Sequence, residues 1–155
     1  MLYEAAIFIH ITGVVMLLGN VTATAIWKFF ADRTGNPVVI AFAQRLVTLT
    51  DISLTFWGII LMIVGGYGAL FVTDISPFAA VWLVYSQICF AVSGVIWLLV
   101  LLPLQIRQAR AARAFAEGGS IPDSYYRDCR LWIVWGLVSF APLIVATWLM
   151  IAKPG

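Results

Sequence analysis

Ile7 to Trp27 reads IFIHITGVVMLLGNVTATAIW, a stretch without one formally charged side chain. As a helix rising about 1.5 Å per residue it reaches about 30 Å, the thickness of a bilayer's hydrocarbon core. That match decides the class of fold, a transmembrane helix. The same stretch holds His10, the single histidine of the chain, and Asn20. An imidazole is costly in lipid, so it is expected to face protein, water or a cofactor.

Three more apolar stretches follow. The first span is read as residues 5–27, with Lys28 marking its exit. Ala31-Asp32-Arg33-Thr34-Gly35-Asn36-Pro37 has turn chemistry, and Pro37 suits a first helical position. From Val38 one long helix is expected, its last part, 52–72, spanning the membrane. Gln44, Thr48, Asp51, Thr55, Gly58, Met62 and Gly65 recur on one face of it, almost all small or polar, as suits a helix–helix contact or a cavity wall. Thr73-Asp74-Ile75-Ser76-Pro77 is a tight turn, and the third span is placed at 78–104. The Ala- and Arg-rich run Gln105–Glu117 continues that helix into water until Gly118-Gly119 stops it. Ser120-Ile121-Pro122-Asp123 has the chemistry of a cap, and the fourth span is 131–151. The expectation is therefore an all-α protein, a single bundle of four transmembrane helices with cytoplasmic helix extensions and no internal repeat.

Composition agrees. Of 155 residues, 63% are hydrophobic and 10% charged, where soluble domains carry about 25% charged residues. An integral membrane protein with lipid as its surroundings follows. The net charge of +2 and the lack of an aromatic-interleaved basic patch argue against nucleic acid. Lys28, Arg33, Arg45, Arg107, Arg110, Arg113, Arg127 and Arg130 lie in the loops after spans one and three, and only Lys153 lies on the other side. This asymmetry puts the basic loops in the cytoplasm and both termini outside. Ala23-Thr24-Ala25 resembles a signal-peptidase site, but Glu4 stands where a basic n-region belongs and the apolar run exceeds an h-region. Cys89 and Cys129 fall at different depths, so reduced thiols are expected. No metal-type Cys or His spacing occurs, and no metal site is expected.

Two sets of residues can carry chemistry. Counting along antiparallel helices places Gly65 and Gly66 of span two, Tyr85 and Ser86 of span three and Thr147 of span four near the depth of His10. His10 can be an axial ligand of haem, or a donor to a related flat cofactor, with the glycines admitting a ring; it can equally tie helices by a hydrogen bond to Tyr85, Ser86 or Thr147. One histidine excludes bis-histidine ligation within the chain. Met16 shares the helix of His10, and Met62 counts about a turn too deep for a second ligand. Haem would be five-coordinate or ligated across a homo-oligomer. The second set is Asp51, with Arg45 and Thr55: a proton or ion site, or an interfacial ion pair of Asp51 with Arg45, Arg107 or Lys28. The arginines 107, 110 and 113 read as a topology signal and a contact for anionic head groups.

His10-Ile11-Thr12-Gly13 followed by Gly19, the Arg45…Asp51…Thr55…Gly58 run and the Gly65-Gly66 pair resemble a bacterial family of predicted integral membrane proteins, domain of unknown function 2269. That family is similar in turn to the copper-resistance D proteins and to the HemJ-type membrane protoporphyrinogen oxidase. The resemblance implies a four-helix membrane fold in a bacterial inner membrane and favours a haem or porphyrin at His10. Porphyrin oxidation is the alternative activity it implies, and a small transporter or membrane scaffold is the alternative that Asp51 suggests.

Overall fold

A computed structural model of the chain describes residues 1–154. Among them there is no strand, and four helices are long and apolar enough to cross a membrane. The chain divides into two compact units, Met1–Ser76 and the residues from Pro77 onward.

In the first unit α1 runs from Leu2 to Arg33. It passes the apolar stretch at both ends, since helix propensity does not stop where lipid does. Gly35 ends it at φ +61°, a conformation open to glycine. The Asn36 side chain then accepts from the Val38 and Val39 N–H groups at 3.0 and 3.4 Å, and Pro37 opens α2, Pro37–Thr50. The helix goes on through one π-turn, Asp51–Thr55, into α3, Phe56–Val72. α1 packs chiefly on α3 and also on α2.

α1 buries one stripe, Gly13, Leu17, Asn20, Thr24, Lys28 and Ala31. The steps of three and four residues are those of a single helix face. α2 and α3 answer with Ile40, Ala43, Gln44, Val47, Thr55, Gly58, Gly65 and Ala69. Of the face expected from the sequence, Gln44, Thr55, Gly58 and Gly65 are buried and Thr48, Asp51 and Met62 half-buried, while Val47 is buried in addition.

The second unit starts later than expected. Residues 77–80 form turns, Ala80 is extended at φ −138° and ψ 144°, and α4 runs Val81–Ile96 rather than from Phe78. Gln87 Nε2 holds the Pro77 carbonyl at 2.9 Å, fixing this approach outside the helix. A second π-turn, Trp97–Leu101, leads into α5, Leu102–Ala116. The wider turn directly precedes Pro103, whose ring would clash with a carbonyl four residues back in a regular α-helix. Gly118 at φ +113° stops α5, as the Gly118-Gly119 pair implies. α6 is Asp123–Ala152. Its N-cap is Pro122 without a side-chain hydrogen bond, so Ser120 does not cap it. Asp123 acts instead from the first turn, where an acid suits the helix dipole. α4 and α5 both pack on α6. Cys89 and Cys129, both here, are not bridged to one another.

Candidate functional site

Glycines bring α1 and α3 together. A Cβ on Gly13 would lie 2.4 Å from the Met62 nitrogen and 2.5 Å from the Gly58 oxygen. One on Gly65 would lie 2.3 Å from the His10 nitrogen and 2.7 Å from the Ala6 oxygen. Real Cβ atoms do not approach backbone so closely, so the two backbones meet only because these side chains are missing.

His10 stands at this crossing, half-buried. Its Nδ1 lies 2.7 Å from the backbone oxygen of Met62. A carbonyl only accepts, so Nδ1 carries the proton and donates. The lone pair of the neutral ring is then on Nε2. Gly66 clears room for the ring: a Cβ there would fall 3.0 Å from Nδ1 and 3.3 Å from Cε1. The sequence count put Met62 about a turn too deep for its side chain to be a second ligand, and its backbone does lie against Gly13, a turn from His10; the backbone oxygen reaches Nδ1 because a helical carbonyl points along the axis toward the C-terminus.

Gly65 and Gly66 therefore face His10 and the α1 backbone. The ring they admit is the imidazole itself, which leaves the Nε2 side for any second ring. Tyr85 and Ser86 belong to the other unit. Tyr85 is exposed; Ser86 is buried and donates to the Trp82 carbonyl at 2.7 Å, and Thr147 likewise donates to Leu143 in its own helix at 2.9 Å.

The second set of residues also gathers in the first unit, with a partner not foreseen. Asn20 Nδ2 donates to Asp51 Oδ1 at 3.0 Å and to Thr55 Oγ1 at 2.8 Å. Thr55 Oγ1 in turn donates to Asp51 Oδ1 at 3.2 Å. Arg45 is exposed and has no part in this triangle. Lys28, expected to mark the exit of the span, is buried at 2% exposure with its ammonium 3.0 Å from Asp32. Arg107 pairs with Asp128 through two hydrogen bonds of 3.0 and 3.2 Å. An amide and a hydroxyl thus meet the Asp51 carboxylate within the hairpin. A signal for this existed: Asn20 and Asp51 lie almost equally far along the chain from Gly35, so an antiparallel hairpin sets them opposite one another.

Among the described residues no group of three or more His, Cys, Asp and Glu is placed to hold a metal ion. The family model of a predicted integral membrane protein, DUF2269, matches residues 5–154. The chain belongs to this family. Neither the curated proteins nor the solved structures offer a match.

Proposed function

We propose that this integral membrane protein binds haem, or a porphyrin of the same shape, through Nε2 of His10. The observation that carries the reading is the 2.7 Å hydrogen bond from Nδ1 to the Met62 oxygen. Histidines that ligate metals typically donate their other ring nitrogen to a carbonyl or carboxylate, which fixes the tautomer, aims the lone pair and raises its basicity. His10 has this arrangement, and Gly66 makes room for it.

Haem suits a chain with one histidine. The macrocycle supplies four ligands of its own, so one axial ligand from the protein suffices. A bare ion would need several protein ligands at one place. When bound, haem supplies one-electron or oxygen chemistry. The chain's own contribution is to hold the imidazole at one angle and to keep the Nε2 lone pair available. The basic loops favour an inner-membrane placement with both termini outside. In that orientation His10 lies toward the outer face and Asp51 toward the cytoplasm.

The test is the absorption spectrum of protein purified in mild detergent from haem-supplied cells. A Soret band that is lost in His10→Ala and shifted in Gly66→Ala is expected. A folded wild-type protein that stays colourless after reconstitution with haem overturns the reading.

A further inference from the structure

We propose that the second unit binds one anionic phospholipid, with an acyl chain in a groove between the α5 and α6 helices and the phosphate on Arg107 and Arg127. The site is independent of the haem reading, since all its residues belong to the unit without His10.

The groove measures about 240 Å³ and is lined by Leu99, Pro103 and Arg107 on one side and by Leu131 and Trp135 on the other. Leu99, Pro103 and Arg107 follow one another at intervals of four, as do Arg127, Leu131 and Trp135, so each set runs along one face of its helix. Both lines end on an arginine at the same level, for both guanidinium groups reach the carboxylate of Asp128, Arg107 Nε at 3.0 Å and Arg127 Nε at 4.0 Å. The eight residues from Leu99 to Arg107 span about 12 Å along a helix axis. The result is a short apolar groove with cations at one end.

Those cations are in surplus. Two guanidinium groups share one carboxylate at the mouth, and residues 105–130 carry five arginines against Glu117, Asp123 and Asp128. Of the five N–H bonds of the Arg107 guanidinium, two are directed to Asp128, from Nε and from Nη2. The Arg107 side chain is 57% exposed and that of Arg127 71%, so their remaining donors are open to a ligand. Guanidinium matches a phosphate through paired N–H groups.

The occupant follows from these features together. Lipid surrounds a spanning helix pair, and a groove below the roughly 300 Å³ of small-molecule pockets takes part of one acyl chain. A zwitterionic lipid brings an ammonium group of its own, which the surplus positive charge repels. An anionic head group is complementary to it, as at other basic pockets between membrane helices.

The test is lipid binding to the full chain, delipidated in an uncharged detergent. Dioleoyl phosphatidylglycerol and dioleoyl phosphatidylcholine are titrated in turn, bound lipid is counted by native mass spectrometry, and thermal unfolding is followed alongside. One retained phosphatidylglycerol, and a midpoint raised more by it than by phosphatidylcholine, are expected in the wild type. Arg107→Gln and Arg127→Gln should each weaken phosphatidylglycerol binding about fivefold, the effect of one cation near a membrane surface. Leu99→Trp fills the groove without touching its charge and should weaken binding too. Glycerol 3-phosphate, a phosphate without chains, should not compete, and His10→Ala should leave binding intact. Equal binding of the two lipids by the wild type overturns the proposal even where a variant fails to fold. A lipid-free dimer would give the groove to a second copy of the chain and overturns it as well. So do an undiminished preference in folded Arg107→Gln and Arg127→Gln, undiminished binding in folded Leu99→Trp, and displacement of the lipid by glycerol 3-phosphate.

Discussion

In the first unit α1 and α3 cross where Gly13, Gly58 and Gly65 remove the side chains between them. In the second, α4 and α6 meet across Ser93 and Ser139, whose hydroxyls each donate to the other's backbone oxygen at 2.7 and 3.1 Å. The serine pair is closed, with each donor answered by a carbonyl and nothing left to bind. The glycine crossing leaves groups directed outward: an imidazole nitrogen aimed by its hydrogen bond and, further along α1, an amide oxygen with no partner. Both units contain a π-turn. The turn in the second unit is wholly apolar, Trp97–Leu101, and stands before a proline; the turn in the first carries Asp51 and Thr55. A π-turn alone is therefore not a mark of function here.

The largest expected difference between the units is in their tolerance of a methyl group. Gly65→Ala should destabilise the protein by about 3 kcal/mol, because the new carbon strikes the backbone of His10 and the helices must part. Gly94→Ala and Gly136→Ala in the second unit meet open space and should be neutral or stabilising by up to about 1 kcal/mol. Equilibrium unfolding in mixed detergent compares all three, and equal losses would erase the contrast.

Gly66→Ala comes next. Its methyl presses on the His10 ring, whose flexible end can give way, so a loss of about 1 kcal/mol is expected. Unfolding of Gly66→Ala in the His10→Ala background checks the cause, since the two losses should not add.

Arg107→Ala tests the ion pair of the second unit. Asp128 is nearly buried but Arg107 is 57% exposed, so solvent screening holds the expected cost to about 1 kcal/mol or less, diminishing further in high salt. A loss independent of salt would place the value of Arg107 in packing.

The smallest effects belong to the serines. Ser93→Ala and Ser139→Ala should each cost about 0.6 kcal/mol, the average for a hydrogen bond between membrane helices. Because each hydroxyl bonds to backbone, the double variant should lose the sum. A strong coupling in the double-mutant cycle would mean that the pair acts as one switchable unit.

How far these features were legible in the sequence depends on their range. Helix ends set by Gly35, Asn36-Pro37 and Gly118 could be read directly, since a turn or cap depends on a few neighbours. Val81 as the start of α4 could not, because Phe78 to Ala80 are apolar enough for a span and a distant side chain, Gln87, engages Pro77. The buried face of α2 and α3 was legible from helical spacing alone. The hydrogen bond from Asn20 to Asp51 was not read from the sequence, because charge draws attention to cations and not to an amide on the facing helix.

By itself the sequence determined the all-helical class, the number of apolar helices, much of the buried face of α2 and α3 and the single histidine. All of these follow from composition and helical period, which are properties of the chain near each residue. Only the tertiary structure decided that His10 donates to a carbonyl rather than to a side chain, that Gly65 and Gly66 admit α1 and its imidazole, and that Asn20 turns one end of its amide to Asp51 and leaves the other unanswered. The reason is physical. A backbone carbonyl has no letter of its own in a sequence, and its reach along the helix axis becomes visible only when two helices lie together at the distance that missing side chains allow.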